Sequence, residues 1–402
     1  MTQVVSADQG HVFHNRLTHS LKVAQIARRL AEKLLHEQST LAERLGGLCP
    51  DAAEAAALAH DLGHPPFGHL AEEALNDLCK EYNLADGYEG NAQSFRIVTT
   101  LAVGDGIDKN AAFIPGLNLT RATLNGLLKY PWMHGNNSKK LKKWGAYRSE
   151  AAYFEWTRSK QPFGPNVKSL EAELMDWADD ITFSVHDLID FYCAGRIPLE
   201  QLNLGGIEDE SQERAAFLAE VFERCEEMVG RAGELKSAFS GIRDLFPLNR
   251  RYVGSREQKS KLRQFVTVLI SRYVNAVKLV EPDATGRCIS IENSAEDEIR
   301  MLKELTWHYV ILQNELATHQ QGQRKVVERV FRDLRSAADD KKSLNIFPPF
   351  FKEEIRGADG DPMKITRSVA DHIAGMTEKE ILRTYHALSG PAQESGRFIC
   401  PL

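Results

Sequence analysis

Apolar positions along this chain recur three and four residues apart almost from end to end. In 19–35, HSLKVAQIARRLAEKLL, Leu21, Ile26, Leu30 and Leu34 fall close to helical spacing with Lys, Arg and Glu between them, which predicts an amphipathic helix. Residues 51–62 read as a second helix, opened by Asp51 as N-cap and stopped at Gly63. Over 170–192, LEAELMDWADDITFSVHDLIDFY, one stripe collects Leu170, Leu174, Trp177, Ile181, Ser184, Val185 and Leu188, so this helix is expected to be deeply packed. Ser294 with Asp297 three residues later resembles a capping box, starting a helix that carries Leu302, Leu305, Tyr309 and Leu312. Alternating strand patterns are scarce, and the fold class expected is all-α. The punctuation falls at 103–118, KYPWMHGNNSKK (129–140), QPFGPN (161–166), LNLGG (202–206) and NIFPPF (345–350). No repeat or low-complexity linker divides the chain.

Composition narrows the partners. The chain has 402 residues, 43% hydrophobic and 26% charged, an ordinary globular balance for one large core or two moderate ones. With 50 Lys plus Arg against 56 Asp plus Glu, the net charge is −6, which argues against a surface devoted to nucleic acid or anionic lipid. Six cysteines without a CxxC suit reduced thiols. No stretch approaches the roughly 18–20 apolar residues of a membrane span, and the N-terminal sequence lacks a signal-peptide layout. A soluble, cytoplasmic protein without membrane contact is expected.

Against this plain background ALAHDLGHPPFGHLAEE (57–73) stands out. His60 and Asp61 close a helix about 100° apart around its axis, so they can share a point only beside the helix end. A divalent ion there would satisfy them. Imidazole with carboxylate suits Mn²⁺, Fe²⁺, Mg²⁺ or Zn²⁺. Further ligands must come from elsewhere: His19 opens a helix after Arg16, and Asp179 and Asp180 lie in the most apolar helix, where an unpaired carboxylate is expensive. A lone histidine at a helix end is more often a cap or a core residue than a ligand. An HD pair followed by His64, His69 and Glu72 around a Pro-Pro turn is poorly explained by packing.

RLTHS around His19, HDLGHPPFGH (60–69), EGNAQSFRI (89–97), GLNLTRATLNGLLKYP (116–131) and MDWADDITFSVHDL (175–188) together resemble the deoxyguanosine triphosphate triphosphohydrolases of the HD-domain superfamily. The resemblance covers the first 190 residues in order and spacing. It implies an HD-domain phosphohydrolase core over 1–200 and a helical C-terminal region over 201–402 packed on it. It also implies metal-dependent hydrolysis of dGTP, or of deoxynucleoside triphosphates more broadly, to deoxynucleoside and inorganic tripolyphosphate. His19, His60, Asp61 and Asp179 match the family's metal ligands, with Mn²⁺ or Mg²⁺ first and Fe²⁺, Zn²⁺, Ni²⁺ or Co²⁺ also candidates. Asp179 is preferred to Asp180 because the family places an aromatic four residues after the ligand, here Phe183. His64, His69 and Glu72 match residues assigned to the chemistry. Arg16 matches a phosphate contact, Phe183 a ring packed on the sugar, and Asp187 a contact to the 3′-hydroxyl.

Three departures qualify the match. Phe183 stands where relatives commonly carry tyrosine, Gly90 stands where many carry histidine, and an arginine-rich helix usual in the family precedes the point where this sequence starts. In the family such a helix would make contacts to phosphate or to other subunits. The family forms homo-oligomers, so a dimer, tetramer or hexamer is implied, as is a nucleotide effector in parts of it. KKLKKWGAYR (139–148) and NRRYVGSREQKSKLR (249–263) interleave cations with aromatics, a pattern that suits phosphates or single-stranded DNA as well as a solvated surface. Trp132 and Trp144 read as packing residues. Two other classes stay open: an HD phosphohydrolase acting on nucleoside monophosphates or cyclic dinucleotides, and a catalytically weak regulatory or nucleic-acid-binding relative.

Overall fold

A computed structural model describes residues 15–104, 116–135, 138–162, 164–203, 212–224, 230–312 and 314–390. The N-terminal 14 residues, most of the 103–118 stretch and the second half of LNLGG lie outside the described residues. Helices dominate: α1 (Arg16–Arg44), α2 (Pro50–Ala59), α3 (His69–Glu81), α4 (Gly90–Arg96), α5 (Arg121–Leu127), α6 (Ser138–Lys142), α7 (Ala151–Arg158), α8 (Leu170–Cys193), α9 (Leu199–Leu202), α10 (Gln212–Arg224), α11 (Ala232–Leu245), α12 (Arg256–Asn275), α13 (Asn293–Thr306), α14 (Asn314–Ala338), α15 (Pro349–Gly357), α16 (Pro362–Ala374) and α17 (Glu378–Leu388). Two three-residue strands, β1 (Val277–Leu279) and β2 (Ile289–Ile291), pair antiparallel with Lys278 opposite Ser290. The all-α expectation holds. No described helix is long and apolar enough to cross a membrane.

The chain forms two compact units, one of residues 1–61 with 94–317 and a smaller one of 62–93 with 318–402. In the larger unit α1, α2 and α8 pack pairwise. Alanine makes this closeness feasible: Ala53, Ala56 and Ala57 of α2 are fully buried, and short side chains let helix axes approach. A Cβ on Gly126 of α5 would stand 3.0 Å from both Ala56 Cβ and Glu171 Cβ, so α5 also sits tight against the same elements. Helix α8 begins at Leu170 with the Ser169 hydroxyl accepting from Ala172 N–H, and its predicted stripe is buried throughout. The smaller unit has its own core, from Leu75 and Leu78 of α3 to Val330, Phe331, Val369 and Ile373.

Four local expectations are corrected. Helix α2 starts at Pro50 with Cys49 as N-cap, not at Asp51; proline at the first helical position needs no N–H partner, and it takes the place assigned to Asp51. The same helix stops at Ala59, not at residue 62, so His60 and Asp61 lie in the turn beyond it. Helix α13 has Glu292 as N-cap without a side-chain cap, and Ser294 lies inside its first turn. The first helix extends to Arg44, past the predicted 35, with non-helical backbone at Gln38. Cys49, Cys79, Cys193 and Cys288 are free thiols, and Trp144 is buried as a packing residue.

Leu174 is wholly buried in the α8 stripe, whereas Leu17 is 68% exposed. Leu174→Ala should cost about 2–5 kcal/mol in chemical denaturation, and Leu17→Ala within about 0.5 kcal/mol.

Candidate active site

The pairwise packing of α1, α2 and α8 brings four predicted residues of the larger unit together. His19 is in the first turn of α1, His60 and Asp61 follow the end of α2, and Asp179 is midway along α8. His19 Nε2 lies 3.1 Å from Asp179 Oδ1 and 3.9 Å from Asp61 Oδ2. His60 Nε2 lies 3.4 Å from Asp61 Oδ1 and 3.6 Å from Asp179 Oδ1. The separations of 3.1 and 3.4 Å fall within the roughly 3.0–3.4 Å expected between neighbouring ligand atoms held about 2.1 Å from one ion, and those of 3.6 and 3.9 Å lie just outside it.

The tautomer of His60 fits the same purpose. Its Nδ1 is 2.6 Å from Ala57 O, and a carbonyl can only accept, so Nδ1 carries the proton and Nε2 the lone pair. Nε2 is buried with no hydrogen-bond partner. A buried imidazole nitrogen with a free lone pair among two carboxylates and a second imidazole is a donor set suited to a divalent cation. Burial alone disfavours charge on His60, but Asp61 and Asp179 outweigh it and raise its pKa to about 9, so without an ion Nε2 takes up a proton at neutral pH, and a metal cation would replace that proton on the lone pair. The site attracts positive charge.

Asp179 is the best-connected of the four. Burial opposes its ionisation, yet Lys129 and the two imidazoles hold its carboxyl well below the usual range. Lys129 Nζ reaches Asp179 Oδ2 at 3.1 Å and Asp176 Oδ1 at 2.7 Å, and Asp176 also pairs with Lys168. Neither Lys129 nor Asp176 was singled out in the sequence. The available signals were the position of Lys129 directly after the buried pair Leu127–Leu128, and Asp176 lying three residues before Asp179 on one helical face. Asp180 turns elsewhere and pairs with Lys303 at 2.6 Å.

Further along α8, Phe183 is half-buried and Asp187 is buried. Asp187 Oδ2 has no hydrogen-bond partner. Burial, with help from Asp190 and Asp179 and against His19, raises its pKa to about 7. Beside it, Lys22 Nζ meets His186 Nδ1 at 3.3 Å; burial and then Lys22 and His19 lower the His186 pKa to about 3, keeping that ring neutral. Arg16 is one turn before His19 on α1, hence on the same face.

His64, His69 and Glu72 form a second group, within the smaller unit. The turn between them is built by consecutive positive φ angles at Phe67 (68°) and Gly68 (65°), and α3 begins at His69. His64 and His69 have ring centroids 5.3 Å apart. Glu72 Oε2 is 3.8 Å from His64 Nε2, and Glu72 Oε1 accepts from Gly90 N–H at 3.3 Å. A Cβ on Gly90 would stand 3.2 Å from His64 Cε1. Glycine therefore gives the imidazole its room and brings a backbone donor to Glu72.

Helical architecture and this histidine–aspartate centre define an HD-domain phosphohydrolase. The HD domain family matches residues 16–108, and the phosphohydrolase-associated domain family matches residues 289–387. Over 97% of this chain and 86% of the relative, the sequence is 35% identical to a deoxyguanosinetriphosphate triphosphohydrolase-like protein of Corynebacterium efficiens. A protein of the same description from Streptomyces coelicolor is 34% identical over 97% of this chain and 88% of its own. One from Azoarcus is 32% identical over 96% and 84%. The chain belongs to the deoxyguanosinetriphosphate triphosphohydrolase-like family and is a hydrolase.

The buried Asp187 carboxyl, whose Oδ2 has no hydrogen-bond partner, sets a pH dependence. The folded chain keeps this proton up to about pH 7, whereas the ordinary value is 3.8. The native state thus binds more protons between these values, and its stability falls as pH rises through that window by up to roughly 1.4 kcal/mol per unit. Melting temperatures of chelator-treated protein at pH 5 and pH 8 should fall more for the wild type than for Asp187→Asn. Equal falls would contradict the burial argument.

Proposed function

We propose that the protein hydrolyses deoxynucleoside triphosphates, dGTP or the wider set, to deoxynucleoside and inorganic tripolyphosphate. The observation that carries this reading is the convergence of His19, His60, Asp61 and Asp179, with the lone pair of His60 Nε2 buried and unclaimed. These four residues would hold a divalent ion, with Mn²⁺ or Mg²⁺ first and Fe²⁺, Zn²⁺, Ni²⁺ or Co²⁺ as alternatives. When bound, such an ion supplies Lewis acidity and neutralises charge at the phosphate under attack.

Release of intact tripolyphosphate requires water to attack the α-phosphorus while its bond to the 5′-oxygen breaks. The water oxygen bonds to phosphorus, one proton leaves the water and one reaches the 5′-oxygen. His69 is assigned to move a proton at this bond as acid or base, a role typically worth about 10²–10⁴ in rate. Glu72, three residues on in the same helix, orients it, and His64 completes the group. Only Leu62 and Gly63 separate Asp61 from His64 in the sequence, which supports assigning both groups to one reaction.

Arg16 is assigned to the phosphates, and Lys129 adds a cation beside Asp179. The half-buried Phe183 ring offers a face to the deoxyribose. Asp187 Oδ2 lacks a donor, and a 3′-hydroxyl would supply one. The wider organisation belongs to the same proposal: a phosphohydrolase core over 1–200 elaborated by 201–402, a cytoplasmic homo-oligomer, and no membrane partner. Single-stranded DNA or a nucleotide effector would find exposed cations at Arg250, Arg251, Arg256, Lys259 and Arg263.

Chromatography of the products formed from each of the four deoxynucleoside triphosphates with Mn²⁺ tests the reading. Deoxynucleoside and tripolyphosphate are expected, with the rate reduced at least about 10²-fold in His69→Ala and Asp61→Ala. Monophosphate with pyrophosphate would move the protein to another HD class, and turnover unaffected by both substitutions would overturn the assignment of the site.

A further inference from the structure

The group His64, His69 and Glu72 has a geometry that proton transfer alone does not explain. One atom from each residue lies within 4.8 Å of the others. Glu72 Oε2 and His64 Nε2 are 3.8 Å apart, outside hydrogen-bond range. Two ligands tetrahedrally placed about 2.05 Å from one zinc ion would be roughly 3.4 Å apart, so a shift of a few tenths of an ångström closes this pair on a shared cation. Glu72 is held in place for that role: its Oε1 accepts from Gly90 N–H, while Oε2 stands on the His64 side at that 3.8 Å.

Local backbone fixes the rest. The strained turn at Phe67 and Gly68 returns the chain so that residues five apart in sequence present their rings to each other, at a tilt of 35°. His69 and Glu72, three apart in α3, share a helix face. We infer that His64, His69 and Glu72 form a second divalent-cation site in the smaller unit, selective for zinc-like ions and inhibitory when filled.

The selectivity follows from the donors. Two imidazoles and one carboxylate suit Zn²⁺, Co²⁺ or Ni²⁺, whereas Mg²⁺ prefers an all-oxygen shell. Three protein ligands leave a tetrahedral ion one open position, as in exchangeable rather than closed structural sites. Inhibition rests on the proton-transfer reading above: an ion on the imidazole lone pairs removes the base form that a proton must occupy.

The test is zinc uptake by the full-length, chelator-stripped protein, measured by calorimetry and equilibrium dialysis. Two equivalents are expected per chain. His69→Gln and Glu72→Gln should each bind one fewer than the wild type, while the double variant His60→Ala/Asp61→Ala keeps the equivalent bound by the smaller unit. His69 is exposed, so His69→Gln leaves the core untouched. In Mn²⁺-supported turnover, filling this second site should slow the wild type about 10²-fold. Uptake by His69→Gln and Glu72→Gln equal to that of the wild type overturns the inference. The two readings separate cleanly: loss of turnover in His69→Gln with unchanged zinc uptake removes the ion site and leaves proton transfer. Loss of one zinc with unchanged turnover does the reverse.

Discussion

A carboxylate midway along the deeply packed helix α8 is the constraint from which the larger unit's site follows. Asp179 is costly to bury, and the structure offsets that cost on both of its oxygens: two imidazoles on Oδ1 and the Lys129 ammonium on Oδ2. Each compensating group comes from a different segment, so the charge balance is satisfied only when α1, the turn after α2, the residues after α5 and α8 are all in place. The site and the packing of the larger unit are therefore one problem. Alanines in α2 and Gly126 in α5 solve its steric half by letting the backbones approach.

The arrangement also explains why histidine, not lysine or arginine, faces Asp61 and the Oδ1 atom of Asp179. A permanent cation would close the centre as an ion pair. Imidazole held by Ala57 O in one tautomer presents a lone pair instead, which leaves the carboxylates short of positive charge and the cavity receptive to a metal ion. Lys129 sets the limit on that appetite by taking the outer oxygen of Asp179.

Much of this was legible in the sequence, for physical reasons that differ by element. Helices α1 and α8 were readable because their apolar spacing is long and regular, and α8 begins within a residue of its predicted start. The ends of α2 were misplaced because proline at the first position displaced the apparent Asp51 cap, and because His60 bonds back to Ala57 in place of continuing the helix. His60 and Asp61 stood out by residue type and adjacency, with His19, Asp179 and Asp180 as candidates because such groups are expensive to bury without a shared purpose; the family resemblance selected Asp179 over Asp180. Lys129 escaped notice because a lysine after two leucines looks like a surface residue until the two aspartates it bridges are seen. The roles of Gly90, as space for His64 and as a donor to Glu72, lie in the backbone and leave no mark in residue chemistry. The antiparallel pair 277–279 and 289–291 was too short for its alternation to register.

The central claim is that His19 and His60 are ligands of one ion together with Asp61 and Asp179. Pulsed electron paramagnetic resonance of the protein carrying one equivalent of Mn²⁺ reads this directly through nitrogen-14 couplings. The account predicts couplings from two imidazoles, reduced to one in His19→Ala and in His60→Ala, with Mn²⁺ binding weakened in Asp179→Ala. A Mn²⁺ signal without imidazole nitrogen coupling, or one unchanged by both histidine substitutions, would contradict it.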